Sequence, residues 1–405
     1  MKKFKIIIKI IIFFAIFVGG QALIKYVILD DTMTISRIMM HDLYTEEENV
    51  DILFCGASHC QLGINPQVMD EGFGMNTFNA GSSSQGLETT LALIKEADRY
   101  HDLKQVYVDL DYSIVMRDVP NLESIYIISD YMKPSLRKVD YLLNATSFDY
   151  YVNSFMPLHK GRGYTANPKK MMEILQKKSS KGYRDYTERD SSYAGKGHIA
   201  SRTVVEEGTL WSNEGFKNRS FEIPQVQQEN LRKIIAFCEK EDIQLTFISI
   251  PMTDFHLSLV QNYDEYVNAI QEFLSEYKVP YYDFNLCTPK LLALNKDSYF
   301  NDDNHLNQDG VKVFGRIFSD FFMGKIEAEA LFMDSYEEKL AAQEPRVLGF
   351  LIEQEKNELT VTPVTNREGM DIECQTERLD GGYLISASVD GVVTNRVEIK
   401  DEELK

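Results

Sequence analysis

"VDILFCGASHCQLGINP", residues 50–66, sets an apolar run against an abrupt Gly-Ala-Ser exit and a proline suited to open a helix. The run is too short for a helix and ends at Gly56, which reads as a buried strand with Ser58 carried just past its tip. Outward from it the same rhythm recurs. Residues 76–80 form a second short apolar run, followed by the small-residue loop "GSSSQGL". Residues 87–100 place Leu87, Leu91, Ile94 and Ala97 at helical spacing, and "KQVYVDLDYSIV" (residues 104–115) is β-rich. Strand, helix and strand in this order predict a parallel sheet with crossover helices.

From residue 117 to 221 the rhythm is lost among tyrosines, lysines, serines and glycines, which reads as a large insertion because the pattern then resumes. Residues 225–241 read as an amphipathic helix, 244–251 ("QLTFISIP") as a buried strand, 263–277 as a helix and 279–284 as a strand. The polar loop "YFNDDNHLNQDG" (residues 299–310) precedes a last apolar-faced helix, residues 311–323. Beyond it, residues 345–400 alternate in short β-like runs separated by Asp380-Gly381 and Asp390-Gly391, turn pairs that predict a small C-terminal β module.

The 405 residues are 44% hydrophobic and 26% charged, a globular composition with room for two or three domains or one decorated α/β domain. The N-terminus departs from it. Lys2, Lys3 and Lys5 precede residues 6–29, almost wholly apolar, and Asp30-Asp31 follows. A span needs roughly 20 apolar residues, and the charge order favours an N-inside orientation. The expected layout is therefore a membrane anchor over residues 1–30 and an α/β domain over 48–325 containing the insertion. A cleaved signal peptide is the alternative, since Gly19-Gly20-Gln21-Ala22 offers small residues for processing; either way the rest is exported.

A formal charge of −19 argues against nucleic acid, whose phosphates need a basic face. Basic clusters such as "HKGRGY", which begins at His159, gather in residues 133–217, as a solvated face or one turned to an anionic polymer or membrane surface. Five cysteines do not make a disulfide framework, and Cys55 and Cys60 around Ser58 lack a second ligand pair at metal spacing. They read as buried small thiols, and no metal or organic cofactor is implied. His41, His59, His101, His159, His198 and His256 read as surface or core residues, with His59 beside the site only because it follows Ser58; Tyr112 and Trp211 read as packing residues able to stack on sugars.

In an open α/β sheet, ligands bind at the C-terminal ends of the strands. Ser58, Gly81 and the Asp302/His305 loop would all reach that edge. A serine needs a base within hydrogen-bond reach and a third group to orient that base, which Asp302 and His305 are spaced to provide, with Asp303 the competitor for orienter.

These residues resemble the SGNH (GDSL-like) hydrolases. "FCGASHCQLGINP" is similar to the nucleophile block, "FNAGSSSQG" to the second block, and "FNDDNHLNQDG" closely to the D-x-x-H-L-N block. The resemblance implies an α/β three-layer sandwich of SGNH (flavodoxin-like) type, Ser58 as nucleophile, His305 as base then acid, and Asp302 as its orienter. It further implies an oxyanion hole from the backbone N–H groups of Ser58 and Gly81. The third block departs from the family: where an Asn donor is usual, "VDLDYS" presents Asp109, Asp111 and Tyr112, so a donor must be lacking or borrowed from Asn79 or the Ser82 hydroxyl. With the anchor, this is similar to members that act on cell-surface polymers, including the D-alanyl transfer protein of teichoic-acid D-alanylation and the alginate-acetylation type proteins. The implied activity is O-acyl transfer to a cell-envelope glycopolymer or ester hydrolysis, with a membrane-bound O-acyltransferase as a partner. The alternative is a non-catalytic scaffold of the same fold that binds the polymer or that partner.

Overall fold

The computed structural model describes residues 2–155, 165–218, 220–355 and 358–404. The cluster "HKGRGY" and His159 lie outside the described residues.

Five short strands form one wholly parallel sheet: β1 (Ile52–Cys55), β2 (Thr77–Asn79), β3 (Gln105–Asp109), β4 (Gln244–Ser249) and β5 (Tyr281–Asp283). Their order is β2-β1-β3-β4-β5, the doubly wound flavodoxin-like arrangement. Strand periodicity explains why both faces are covered. Leu53, Cys55, Val106, Val108 and Phe247 enter one core with helices Leu87–Asp98, Gln225–Lys240 and Tyr263–Ser275. Ile52, Phe54, Tyr107 and Ile248 enter the other, against helices Pro66–Phe73 and Gln308–Phe322. There Phe54, Tyr107, Phe284, Phe314 and Phe318 interlock; side chains of this size each contribute about 1.5–3 kcal/mol when fully buried.

The insertion carries helices between Leu122 and Arg184 and short strands after them, although the βα rhythm is lost in its sequence. Helices Leu122–Ser129 and Leu136–Ala145 bury Ile125, Ile128, Tyr141 and Leu142 in the first core, so tertiary packing organises a segment with weak local periodicity. The N-terminal helix, Lys2–Ile28, contains one apolar stretch long enough to cross a membrane, Phe4–Ile28, with mean hydropathy 2.4. Its base is fastened to the domain: the buried Lys178 ammonium donates to the carbonyls of Tyr26 and Leu29 and pairs with Asp31 at 2.8 Å, while Lys25 meets Asp130 at 2.9 Å.

After these come the antiparallel strands β6 (Val347–Glu355), β7 (Glu358–Thr365), β8 (Ile372–Leu379), β9 (Gly382–Val389) and β10 (Val392–Lys400). The turn Asp390-Gly391 adopts positive φ at both positions, 51° and 77°, the conformation that closes a tight hairpin. Two three-stranded sheets pack through Phe350, Ile352, Ile385 and Ile399. One of them takes its third strand from far upstream, Trp211–Ser212, paired parallel with Phe350–Leu351. Leu210, Phe255, Leu259, Leu348 and Leu351 join this region to the main domain, as do the Asp254 ion pairs with Lys339 and Arg346 at 2.7 and 3.2 Å.

Candidate active site

Ser58 is the first residue of the short helix Ser58–Gly63, three residues beyond the end of β1, where backbone N–H groups have no intrahelical acceptor. β1 and β3 are neighbours at the point where the strand order reverses, the usual ligand edge of such a sheet. Gly56 makes the approach possible: a Cβ there would lie 2.6 Å from Asp109 Cβ and 2.9 Å from Cys60 Cβ.

The distant half is held just as tightly. Phe300 and Leu306 bridge across the loop, and Asn301 N–H donates to the His305 carbonyl at 2.9 Å. Leu306 is buried in the second core, and the Asn307 side chain accepts the N–H groups of Asp309 and Gly310 to open the last helix. At Gly310 a Cβ would meet the Tyr299 carbonyl oxygen at 2.2 Å. The "HLNQDG" pattern is thus an anchor, a cap and a close approach, which together aim His305.

His305 Nε2 lies 2.8 Å from Ser58 Oγ, and its Nδ1 lies 2.9 and 3.1 Å from the two Asp302 oxygens. Asp302 also accepts the backbone N–H groups of Asn304 and His305 at 3.0 and 2.7 Å. Burial opposes its charge, but these hydrogen bonds outweigh it and hold the carboxyl below the usual range. Asp303 serves a different histidine: His256 Nδ1 is 2.8 Å from its Oδ2, and His256 Nε2 is 3.0 Å from the Tyr112 hydroxyl.

The remaining expected oxyanion donors are committed elsewhere. The Gly81 N–H donates to Asn79 Oδ1 at 2.8 Å. Asn79 Nδ2 in turn donates to the carbonyls of Cys60 and Ile64, both at 2.7 Å, so this fully buried amide clips the turn after Ser58 to β2. The Ser82 hydroxyl donates to Gln85 Oε1 at 2.7 Å. Of the donors expected from sequence, only the Ser58 N–H has no hydrogen-bond partner among the described residues.

Sequence reasoning passed over what stands beside the triad. His59 Nδ1 pairs with Asp111 Oδ2 at 3.2 Å in a nearly solvent-free setting, and the His59 ring centre is 4.9 Å from that of His305. Burial alone would discharge His59, yet Asp111, with Asp109 and Asp302 behind it, raises its pKa to about 9. Asp111 is held well below the usual carboxylate range despite its burial, because His59 and the Ser113 N–H stabilise the anion. Asp109 behaves oppositely. Burial raises it to about 7, one oxygen accepts the Ile250 N–H at 3.1 Å, and among the described residues the other has no partner. The signal for this cluster was present in the departure of "VDLDYS" from an amide-bearing block.

A cleft of about 440 Å³ opens beside His59, lined also by Asp111, Tyr112, Trp211, Lys217 and His256. Among the described residues no group of three His, Cys, Asp or Glu side chains is placed to hold a metal ion. Cys55, Cys60, Cys238 and Cys287 are buried, and Cys374, read as buried from sequence, is exposed on the outer edge of β8.

The doubly wound strand order and the meeting of Ser58, Asp302 and His305 at one sheet edge agree with what the resemblance of the sequence blocks implies. Similar solved structures include a GDSL-like lipase from Bacteroides thetaiotaomicron, at 9% identity and TM-score 0.31, covering 68% of this chain and 89% of that one. Another is a lipolytic protein of the G-D-S-L family from Desulfitobacterium hafniense, at 10% identity and TM-score 0.33, covering 67% and 98%. A third is an acetyl xylan esterase, at 12% identity and TM-score 0.31, covering 69% and 100%. No protein-family profile and no curated protein matches the sequence.

Proposed function

We propose that the chain transfers an acyl group through Ser58, outside the cytoplasm, to a hydroxyl of a cell-envelope glycopolymer, with water as the competing acceptor. The observation that carries this reading is the unbroken hydrogen-bonded line from Asp302 through His305 to Ser58. As Ser58 Oγ bonds to the acyl carbon, its proton passes to His305 Nε2 and the carbonyl electron pair moves onto oxygen. Collapse of that adduct expels the donor's oxygen, which takes the proton from His305. The acceptor hydroxyl then repeats the sequence in reverse, giving an acylated acceptor and free Ser58. Asp302, kept ionised, steadies the imidazolium formed in each half.

The cleft beside the triad supports a polymer acceptor, because an indole, a phenol and several small polar groups converge there (Tyr112, Ser113, Trp211, Asn213 and Asn304). The apolar helix Phe4–Ile28 supports a membrane-attached setting, in which a membrane-bound acyltransferase is the fitting source of acyl groups. A fluorophosphonate probe should label the detergent-solubilised full chain and spare Ser58→Ala; no labelling, or equal labelling of both, would sink the nucleophile. Acyl release to water measured against acyl transfer to an added glycan then separates esterase from transferase.

A further inference from the structure

The unpaired demand at this site is for a donor. An acyl-transfer site needs N–H groups aimed at the oxygen that becomes negative, and such donors contribute strongly because they are fixed before the reaction begins. Here the third-block position that would supply an amide carries carboxylates, and Gly81, Asn79 and Ser82 spend their hydrogen bonds inside the protein. His59 is the next residue along from Ser58, and its ring lines the cleft beside the triad. Asp111 takes its Nδ1, and among the described residues no group takes its Nε2.

We propose that His59, held as an imidazolium by Asp111, is the side-chain donor of the oxyanion hole, working with the Ser58 N–H. The inference rests on the acyl-serine reading above and deepens it. In this arrangement the carboxylate of the third block acts through the histidine. Asp111 is a positioning residue, and the substrate oxygen meets Nε2–H of His59. A cation here stabilises the developing oxyanion more strongly than a neutral N–H donor would. Asp111 balances the charge, so the site gains a strong donor without a net buried cation.

The pH dependence follows from the groups around the ring. Asp111, Asp109, Asp302 and His305 face it, while His256, Asp303, Glu214 and Lys217 line the same cleft. With His59 raised to about 9, acylation should fall on the alkaline side as the donor loses its proton.

The test measures the rate of fluorophosphonate labelling and the hydrolysis of p-nitrophenyl acetate, from pH 6 to pH 10.5, on the full chain in detergent. His59→Leu should acylate on the order of a hundredfold to a thousandfold more slowly, the usual loss for one such donor. His59→Gln, which keeps an uncharged N–H, should recover about tenfold of that and lose the alkaline fall. Asp111→Asn should shift the fall to lower pH, because the imidazolium loses its counter-ion. The proposal is overturned by His59→Leu reacting within threefold of the wild type. It is equally overturned if Gln and Leu variants that are fully folded at the assay temperature lose the same activity and the Gln variant keeps the wild-type alkaline fall. An unlabelled wild type is a different result: it removes Ser58 as nucleophile, and with it this role for His59.

Discussion

Asp302 and Asp303 are adjacent in sequence and hold different histidines. Asp302 orients His305 toward Ser58, whereas Asp303 orients His256 toward the Tyr112 hydroxyl. Each makes a carboxylate, imidazole and hydroxyl line, and each hydroxyl stands three residues past a strand end, yet only Ser58 follows a glycine-relieved turn. On the proposed reading, what sets the Ser58 line apart is what surrounds its hydroxyl. Ser58 has a backbone N–H and His59 at hand, while Tyr112 is buried with its pair-mate along the cleft wall.

Replacing one carboxylate at a time divides the two lines. Asp302→Asn should lower kcat by about ten-thousandfold, as when a triad loses its orienter, with little change in melting temperature. Asp303→Asn should leave acylation of a small ester within about tenfold, and a larger loss measured by stopped-flow acylation would make the two lines one unit. Gly56→Ala should act on structure as well, because Asp109 and Cys60 occupy the space its Cβ needs. Overpacking of this kind costs about 1–3 kcal/mol, and urea unfolding together with probe labelling would register both losses.

A pH titration of stability tests the His59 and Asp111 pair against the triad. His59 is raised to about 9 from an unfolded value near 6.5, so its contribution is fully present below pH 6.5 and lost as pH rises through about 9. Melting temperature should therefore decline over that window, and His59→Gln should flatten the decline. The smallest effect is expected from Tyr112→Phe, which removes one hydrogen bond to His256 and should cost about 1 kcal/mol in thermal unfolding.

The sheet was legible because short apolar runs ended in glycine and small residues at regular intervals, and "DDNHLNQDG" was legible because anchor, cap and close approach are local. The hydrogen-bond commitments of the expected oxyanion donors were not. Asn79 was read as a spare amide, yet it is consumed by carbonyls of the turn after Ser58, on a neighbouring strand's connection. His59 looked incidental because its partner, Asp111, lies 52 positions downstream and meets it only once β1 and β3 are side by side. The cleft wall was hidden for the same reason, since Trp211 is placed by pairing with a strand that begins at Val347.

Lys178 fastens the apolar helix to the domain. Its ammonium grips the last carbonyls of the apolar helix and Asp31, while Lys25 and Asp130 pair nearby, so helix and domain meet at a clamp and not at a free tether. With the helix in a bilayer, the reactive serine would be carried like a tool on a short rigid post, reaching only polymer that passes within about one domain's breadth of the lipid.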